Sequence, residues 1–550
     1  METVTLRLSD GSTIQTPLGT PAADIICHFK EKPNTIVAVR FNNEICSLTQ
    51  PLENSGDVEP VCIGSSEASA IYRRSLCLLL AAAAHTLFPG KRLVVGHSLG
   101  HGYYYTLDTA KSLSSADVKR LQEKMSELVK QNHSIRQSFI SYKETTALFE
   151  HLNMSETRKQ LNFICPPRFK INTLNGFSDL YFAPLLPSTG YITQFELMPY
   201  GEGFLLRYPS TKNPKHIEKF KDIPQLFNVY KRYKEWGKML GVTSASSLNE
   251  MVFNRKIKDF INITETLQNK CIADIADQIK EKSSIKTVLI AGPSSSGKTT
   301  TSKKLSMQLQ VLGYKPKVIE LDSYYVGRDL TPKTKTGEYD YESLQALDIA
   351  QLNRDLEDLF SGKEIQLPSY DFAQGKRRYS GKTMKLDTQN ILILEGIHGL
   401  NDKLTPAVAK KNKFKIYLSA LTQLNLDDHN RIATSDNRLI RRIVRDSQFR
   451  GKSASETIQM WPNVQAGERT HIFPFQDNAD AMLNTALDYE LAVLKIYAEP
   501  LLRCVTPLQR EYAEASRLLR FLNNFLPIPT HFVPGHSIIR EFIGDSAFKY

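Results

Sequence analysis

Apolar and polar positions alternate over residues 3–8 and again over 12–16, on either side of Asp10-Gly11. Both turn positions tolerate positive φ, so the pattern predicts a β-hairpin. The β-branched stretch 35–39, the polar turn Asn42-Asn43 and a short strand ending near Val61 complete a small β-rich unit, placed at residues 1–62. Helical periodicity then runs over 67–88 and over 115–132, where Leu121, Met125, Leu128 and Val129 fall on one face. Residues 93–107, between these helices, are strand-like and rich in Gly and Tyr. An α+β unit over 63–210 follows, ending where Pro209 and Pro214 punctuate a polar segment, and a mostly helical connector over 211–284 leads onward. After Lys286 strand, glycine loop, helix and strand alternate, which predicts an α/β unit over 285–505: a parallel sheet with helices on both faces. The tail, 506–550, starts as helix and is interrupted at Pro527 and Pro529.

Composition narrows the picture only modestly. A chain of 550 residues exceeds what one core supports, and 41% hydrophobic with 23% charged residues is ordinary for folded proteins. The apolar run 76–84 is too short to cross a bilayer and the N-terminus lacks a signal-peptide pattern, so no membrane association and a cytoplasmic location are expected. Seven scattered cysteines without metal or redox spacing read as reduced thiols. A formal charge of +12 favours anionic partners, nucleotides or tRNA among them.

Candidate chemistry concentrates in the α/β unit. The apolar strand 287–291 feeds directly into Gly292-Pro293-Ser294-Ser295-Ser296-Gly297-Lys298-Thr299, after which Leu305 and Leu309 share one helix face. This is the strand–loop–helix context of a phosphate-binding loop, whose backbone N–H groups and helix dipole converge on phosphate oxygens. Residues 292–300, Thr300 included, are therefore the candidate ATP contacts, with Lys298 reaching the terminal phosphates and Thr299 offering its hydroxyl to Mg2+. The next strand, 317–321, ends in Asp322-Ser323-Tyr324-Tyr325 at the carboxyl edge of the sheet, where ligands bind. Asp322 can there accept a proton from an attacking hydroxyl, help to hold Mg2+, or cap the next helix. The strand 391–394 leads into Glu395-Gly396, the position of an acidic metal residue in phosphate-loop proteins.

Arg438, Arg441, Arg442 and Arg445 recur at i, i+3, i+4 and i+7, opposite Leu439, Ile440, Ile443 and Val444. A dry face and an outward cationic stripe fit a lid that closes on ATP, or a solvated basic face. Pro368-Ser369-Tyr370-Asp371-Phe372 lies in the insertion where an acceptor pocket has to form, its rings suited to stacking on a flat base or to a core.

Together these motifs make residues 285–505 resemble the uridine kinase and phosphoribulokinase family. The resemblance implies a catalytic Asp at Asp322, with Lys298 beside it, and Mg2+ held by Thr299, Asp322 and Glu395. It implies a nucleoside pocket with Asp340 on the ribose and Tyr370 and Phe372 on the base. It also implies ATP contacts from Arg441, Arg442 and Arg445, and substrate contacts from Arg438 and Arg450. The family's base-recognising His has Gly375 in its place here, which implies altered base selection.

The N-terminal part resembles threonyl-tRNA synthetase: a ubiquitin-like β-grasp (TGS-like) module and then its second additional, editing-type domain, carried by Tyr72-Arg73-Arg74-Ser75 and Phe88-Pro89-Gly90. The paired His of that editing site are replaced by Arg74 and Leu78, and the His after its Cys by Phe169. Expected overall is an ATP- and Mg-dependent kinase that phosphorylates the 5′-hydroxyl of a nucleoside, of the uridine or cytidine type. A kinase of another small alcohol and a tRNA- or ribosome-associated nucleotide-binding protein stand as alternatives. tRNA binding, without catalysis on it, and a homo-oligomer are left open.

Overall fold

A computed structural model of the chain describes residues 2–108, 113–333, 337, 339–371 and 374–549. It divides into two compact units, neither of them contiguous in sequence. One comprises Met1–Asn254, Gln423–Ile432 and Glu499–Pro527, and the other Arg255–Thr422, Ala433–Ala498 and Ile528–Tyr550. These boundaries differ from the expected ones: the connector's last helix, Ile257–Glu281, joins the second unit, and two pieces of later chain join the first.

The first unit opens with a five-stranded sheet ordered Thr13–Pro17, Thr3–Leu8, Gly56–Cys62, Ile36–Phe41, Glu44–Ser47. The Asp10-Gly11 hairpin forms as expected, with Gly11 at φ +84° and Asp10 accepting the Ser12 amide. Along Thr3–Leu8 every second residue is buried, so Val4, Leu6 and Leu8 meet Ile25, Val39 and Val58 in one core. A second, antiparallel sheet is ordered Glu196–Tyr200, Gly203–Arg207, Gly102–Leu107, Leu93–Ser98. The helices Ser66–Leu87 and Ser115–Lys130 share its core, each started by a serine that accepts a first-turn amide. The apolar run 76–84 lies in the first of these helices and is buried throughout, which explains its composition without a bilayer. Among the described residues no helix is long and apolar enough to cross a membrane.

The later segments are bonded firmly into this unit. Asp428 accepts from Arg92 at 2.5 Å and from the Thr157 amide at 2.8 Å, His429 pairs with buried Asp179 at 2.9 Å, and the Asn524 carbonyl accepts from Gln160 and Asn249.

In the second unit five strands, all parallel, are ordered Lys315–Glu320, Asn390–Glu395, Thr287–Ala291, Lys413–Ser419, Ala481–Asn484. Central Thr287–Ala291 is buried along its length, hence its uninterrupted apolar run. The helix Ile257–Glu281 packs beside the helix Lys298–Val311, where buried Lys304 faces Glu265 at 3.6 Å. The carboxyl ends of the three adjacent strands 287–291, 315–320 and 390–395 bring Gly292, Asp322 and Glu395 to one edge.

Candidate active site

The loop 292–297 turns sharply out of the central strand, with Ser295 at φ +58° and Gly297 at φ +79°. A side chain at Gly292 would put its Cβ 2.5 Å from the Leu418 carbonyl oxygen, so only glycine lets the loop pass that close to the sheet. Gly297 caps the helix Lys298–Val311, whose first-turn amides open toward the loop. The hydroxyls of Ser295 and Ser296 are buried and have no partner among the described residues, which leaves donors for the oxygens of a bound phosphate. Lys298 Nζ reaches the Pro293 carbonyl only at 3.5 Å, a weak hold on an ammonium group.

Thr299 Oγ1 donates to Glu395 Oε2 at 3.3 Å, so two of the three expected metal-facing groups meet. Burial pushes the Glu395 carboxyl up to about 8; Lys298 opposes the rise, while Asp322, Glu320 and Glu541 add to it. Crowded carboxylates with a hydroxyl beside them fit Mg2+, which takes one or two carboxylates and fills its shell with phosphate oxygens and water. No three His, Cys, Asp or Glu side chains among the described residues make a metal cage on their own. Asp322 lies in the 3-10 turn Leu321–Tyr324 rather than on the strand, partly exposed, and its side chain caps no helix among the described residues.

The arginine helix, Thr434–Arg450, corrects one expectation. Periodicity predicts an outward cationic stripe, yet Arg438, Arg441 and Arg442 are 3%, 0% and 7% exposed. Acidic partners distant in sequence draw them inward. Arg438 makes a two-pronged pair with Glu468 at 2.5 and 2.6 Å and lies over the Trp461 ring, and Arg441 pairs with Glu490 at 2.5 Å. The same arginines brace the loop: Arg441 donates to the Ser295 carbonyl and Arg442 to Ser294 Oγ at 2.7 Å. Arg445 and Arg450 pair with Asp446, at 2.9 and 3.6 Å. Burial raises the Asp446 carboxyl, but Arg445, Arg442 and Arg450 outweigh it and hold the group below its ordinary value.

On the acceptor side, Asp340 faces His471 at 3.7 Å, and Tyr370 packs on Tyr325 in a cluster that includes Tyr341. Phe372 lies outside the described residues. Gly375 has φ +65°, and a Cβ there would meet Arg328 Nε at 2.8 Å, so an arginine occupies the room that a side chain would need. Arg377 is tied to Asp348 at 2.8 Å.

Among the carboxylates that escaped the sequence reading are Glu468 and Glu342. Glu468 accepts the Ser294 amide at 3.0 Å. Glu342 has a buried Oε2 with no partner among the described residues, and burial, then Glu468, push its carboxyl up to about 7 against Arg442 and Lys298. Neither stands in a local motif; the spacing of the arginines hinted only that acids had to be found somewhere. A further pattern, Gly96-His97-Ser98-Leu99-Gly100, has the spacing of a nucleophile elbow. It sits at the turn of an antiparallel hairpin rather than between strand and helix, and Ser98 Oγ donates to the Gly102 carbonyl, so it is no elbow.

At the positions of the editing-site ligands, Arg74 donates to the Pro184 carbonyl at 3.1 and 3.2 Å, while Leu78 and Phe169 are buried.

Comparisons with known proteins match different parts of the chain to different families. The N-terminal region is similar to Threonine--tRNA ligase of Pelobacter propionicus, 27% identical over 199 residues, and of Staphylococcus saprophyticus, 29% identical over 201. Each match covers 36% of this chain and 31% of the ligase, so the chain spans about a third of the length of these relatives. A solved structure described as a possible uridine kinase from Bacillus stearothermophilus is 19% identical, with 36% of this chain and 89% of that chain covered and a TM-score of 0.24. Residues 287–492 match the model of the Phosphoribulokinase / Uridine kinase family, and with the phosphate loop and parallel sheet in place, the C-terminal part of this chain carries a kinase domain of that family.

Proposed function

We propose that the kinase domain transfers the γ-phosphoryl group of ATP to the 5′-hydroxyl of a nucleoside. The observation that carries the reading is the meeting of Asp322, Lys298 and the Thr299–Glu395 pair at one sheet edge. Asp322 accepts the proton of the attacking hydroxyl, and Lys298 neutralises charge that develops on the transferring group. Thr299, Glu395 and Asp322 would hold Mg2+, which supplies further charge neutralisation there. Asp340 is suited to a ribose diol and Tyr370 to one face of a base. Arg328, at Gly375, takes the place of the family's imidazole, so base selection differs from that of His-containing uridine kinases. The test is turnover of uridine, cytidine, adenosine, guanosine and inosine with Mg-ATP, compared as kcat/KM. Strong preference for uridine would contradict the base argument, and no turnover of any nucleoside would overturn the acceptor class.

A second reading has its own support in the ligase-like N-terminal region: a tRNA- or ribosome-associated protein in which the nucleotide site is a switch. Salt-sensitive copurification with RNA and no phosphorylated metabolite would favour it.

A further inference from the structure

The anion-binding end of the phosphate-loop helix is already engaged by the chain itself. Glu541, on the short helix Arg540–Ile543, accepts from the Thr300 backbone N–H at 3.0 Å and from Thr300 Oγ1 at 2.7 Å. Thr300 stands in the first turn of the helix Lys298–Val311, where amides have no partner within the helix and, in a loop of this kind, face phosphate. The next residue supplies a ring: Phe542 is fully buried, 5.0 Å from the guanidinium carbon of Arg441. Ile538 closes on the loop so tightly that a Cβ on Gly297 would lie 2.5 Å from its Cγ2. Farther on, Lys303 Nζ donates to the Lys549 carbonyl. A carboxylate on the helix's amides with a flat ring beside it reproduces the two kinds of group that a nucleotide brings, a phosphate and a base.

We propose that residues 530–547 are an autoinhibitory latch, in which Glu541 and Phe542 stand in the nucleotide site for a phosphate and a base, and that nucleotide binds only when this segment has left. The proposal rests on the reading of residues 292–300 as a nucleotide site. The amide of Thr300 cannot serve two anions at once, so the apparent affinity for nucleotide is the intrinsic affinity multiplied by the fraction of chains in which the latch is open. Internal bonds let the segment move as one piece. Arg540 donates to the Thr530 and Val533 carbonyls at 2.9 and 2.7 Å, and the Ala547 amide to the Gly535 carbonyl at 2.9 Å. Just ahead of it, the Ile528 amide is anchored on the Ala492 carbonyl at 3.0 Å, which places a hinge next to Pro529.

The experiment uses the full chain in three forms, wild type, Glu541→Gln and Glu541→Ala, each checked by thermal melting and titrated calorimetrically with Mg-ADP. Gln keeps the size of the side chain and removes its charge. Loss of charge-assisted hydrogen bonds from the closed form should tighten the apparent Kd by about tenfold or more in both variants. In wild type, which needs no substitution, saturating ADP should speed hydrogen exchange over residues 530–547. Equal ADP affinity in the three chains, or unchanged exchange in that segment, overturns the latch while leaving the nucleotide site standing. No ADP binding by any of them overturns both.

Discussion

At the scale of single residues the candidate site is a set of acids held close to one another, and their protonation is what can be tested. Asp322 is the base of the proposed reaction; Asp322→Asn should lower kcat by roughly 10²-fold with little change in ATP affinity, as expected when a base or metal-linked carboxylate is neutralised. Turnover and ATP binding measured on the same preparation check this. Lys298→Ala should abolish phosphotransfer while leaving the melting curve unchanged, because it removes a loop contact and little buried area. Glu342 titrates from a folded value of about 7 against an ordinary value of 4.5. Between those two values the folded chain keeps a proton that the unfolded chain has released, so stability falls as pH rises through the window. Thermal midpoints measured from pH 4 to pH 8 should show that fall in wild type and a shallower one in Glu342→Gln. An identical slope in both would assign the fall to other groups.

Elements differ in how much of their structure local sequence contains. The strand–loop–helix around Gly292–Thr299 was fully legible, because its apolar run, its glycines and its helix start are all set by neighbours in the chain. The hairpin at Asp10-Gly11 was legible for the same reason. The helix Thr434–Arg450 was legible as a helix but not in its surroundings. Periodicity assigns faces, but whether a cationic face meets water depends on acids such as Glu468 and Glu490, which arrive from other elements. Glu342 and Glu541 were missed on the same physical ground, since a lone acid in a loop or tail carries no pattern. Arg441→Ala tests the element: it leaves Glu490, 2% exposed, without its ion-pair partner. Removing one side of a buried pair costs about 3–5 kcal/mol, so urea denaturation should register a loss of that order. A loss below about 1 kcal/mol would mean that Asn437 and the Leu487 amide, which also donate to Glu490, carry it instead.

For the whole molecule the N-terminal likeness to threonine–tRNA ligases raises the question of inherited chemistry. Arg74, Leu78 and Phe169 offer neither a metal ligand nor a base for water, so the full chain should not deacylate mischarged tRNA; release of the amino acid from a mischarged tRNA above the uncatalysed rate would contradict this. The first unit also depends on Gln423–Ile432 and Glu499–Pro527. A fragment ending at residue 254 lacks the partners of Arg92, Thr157, Asp179 and Gln160 and should melt at lower temperature than the first transition of the full chain. This interleaving has a consequence for synthesis. The first unit's early residues leave the ribosome well before residues 423–432 and 499–527, without which the unit is incomplete, a wait on the order of tens of seconds. Until residue 429 has been made Asp179 lacks its His429 partner, and until residue 524 Gln160 lacks its acceptor, so the nascent chain should lean on chaperones more than a contiguous domain of the same size.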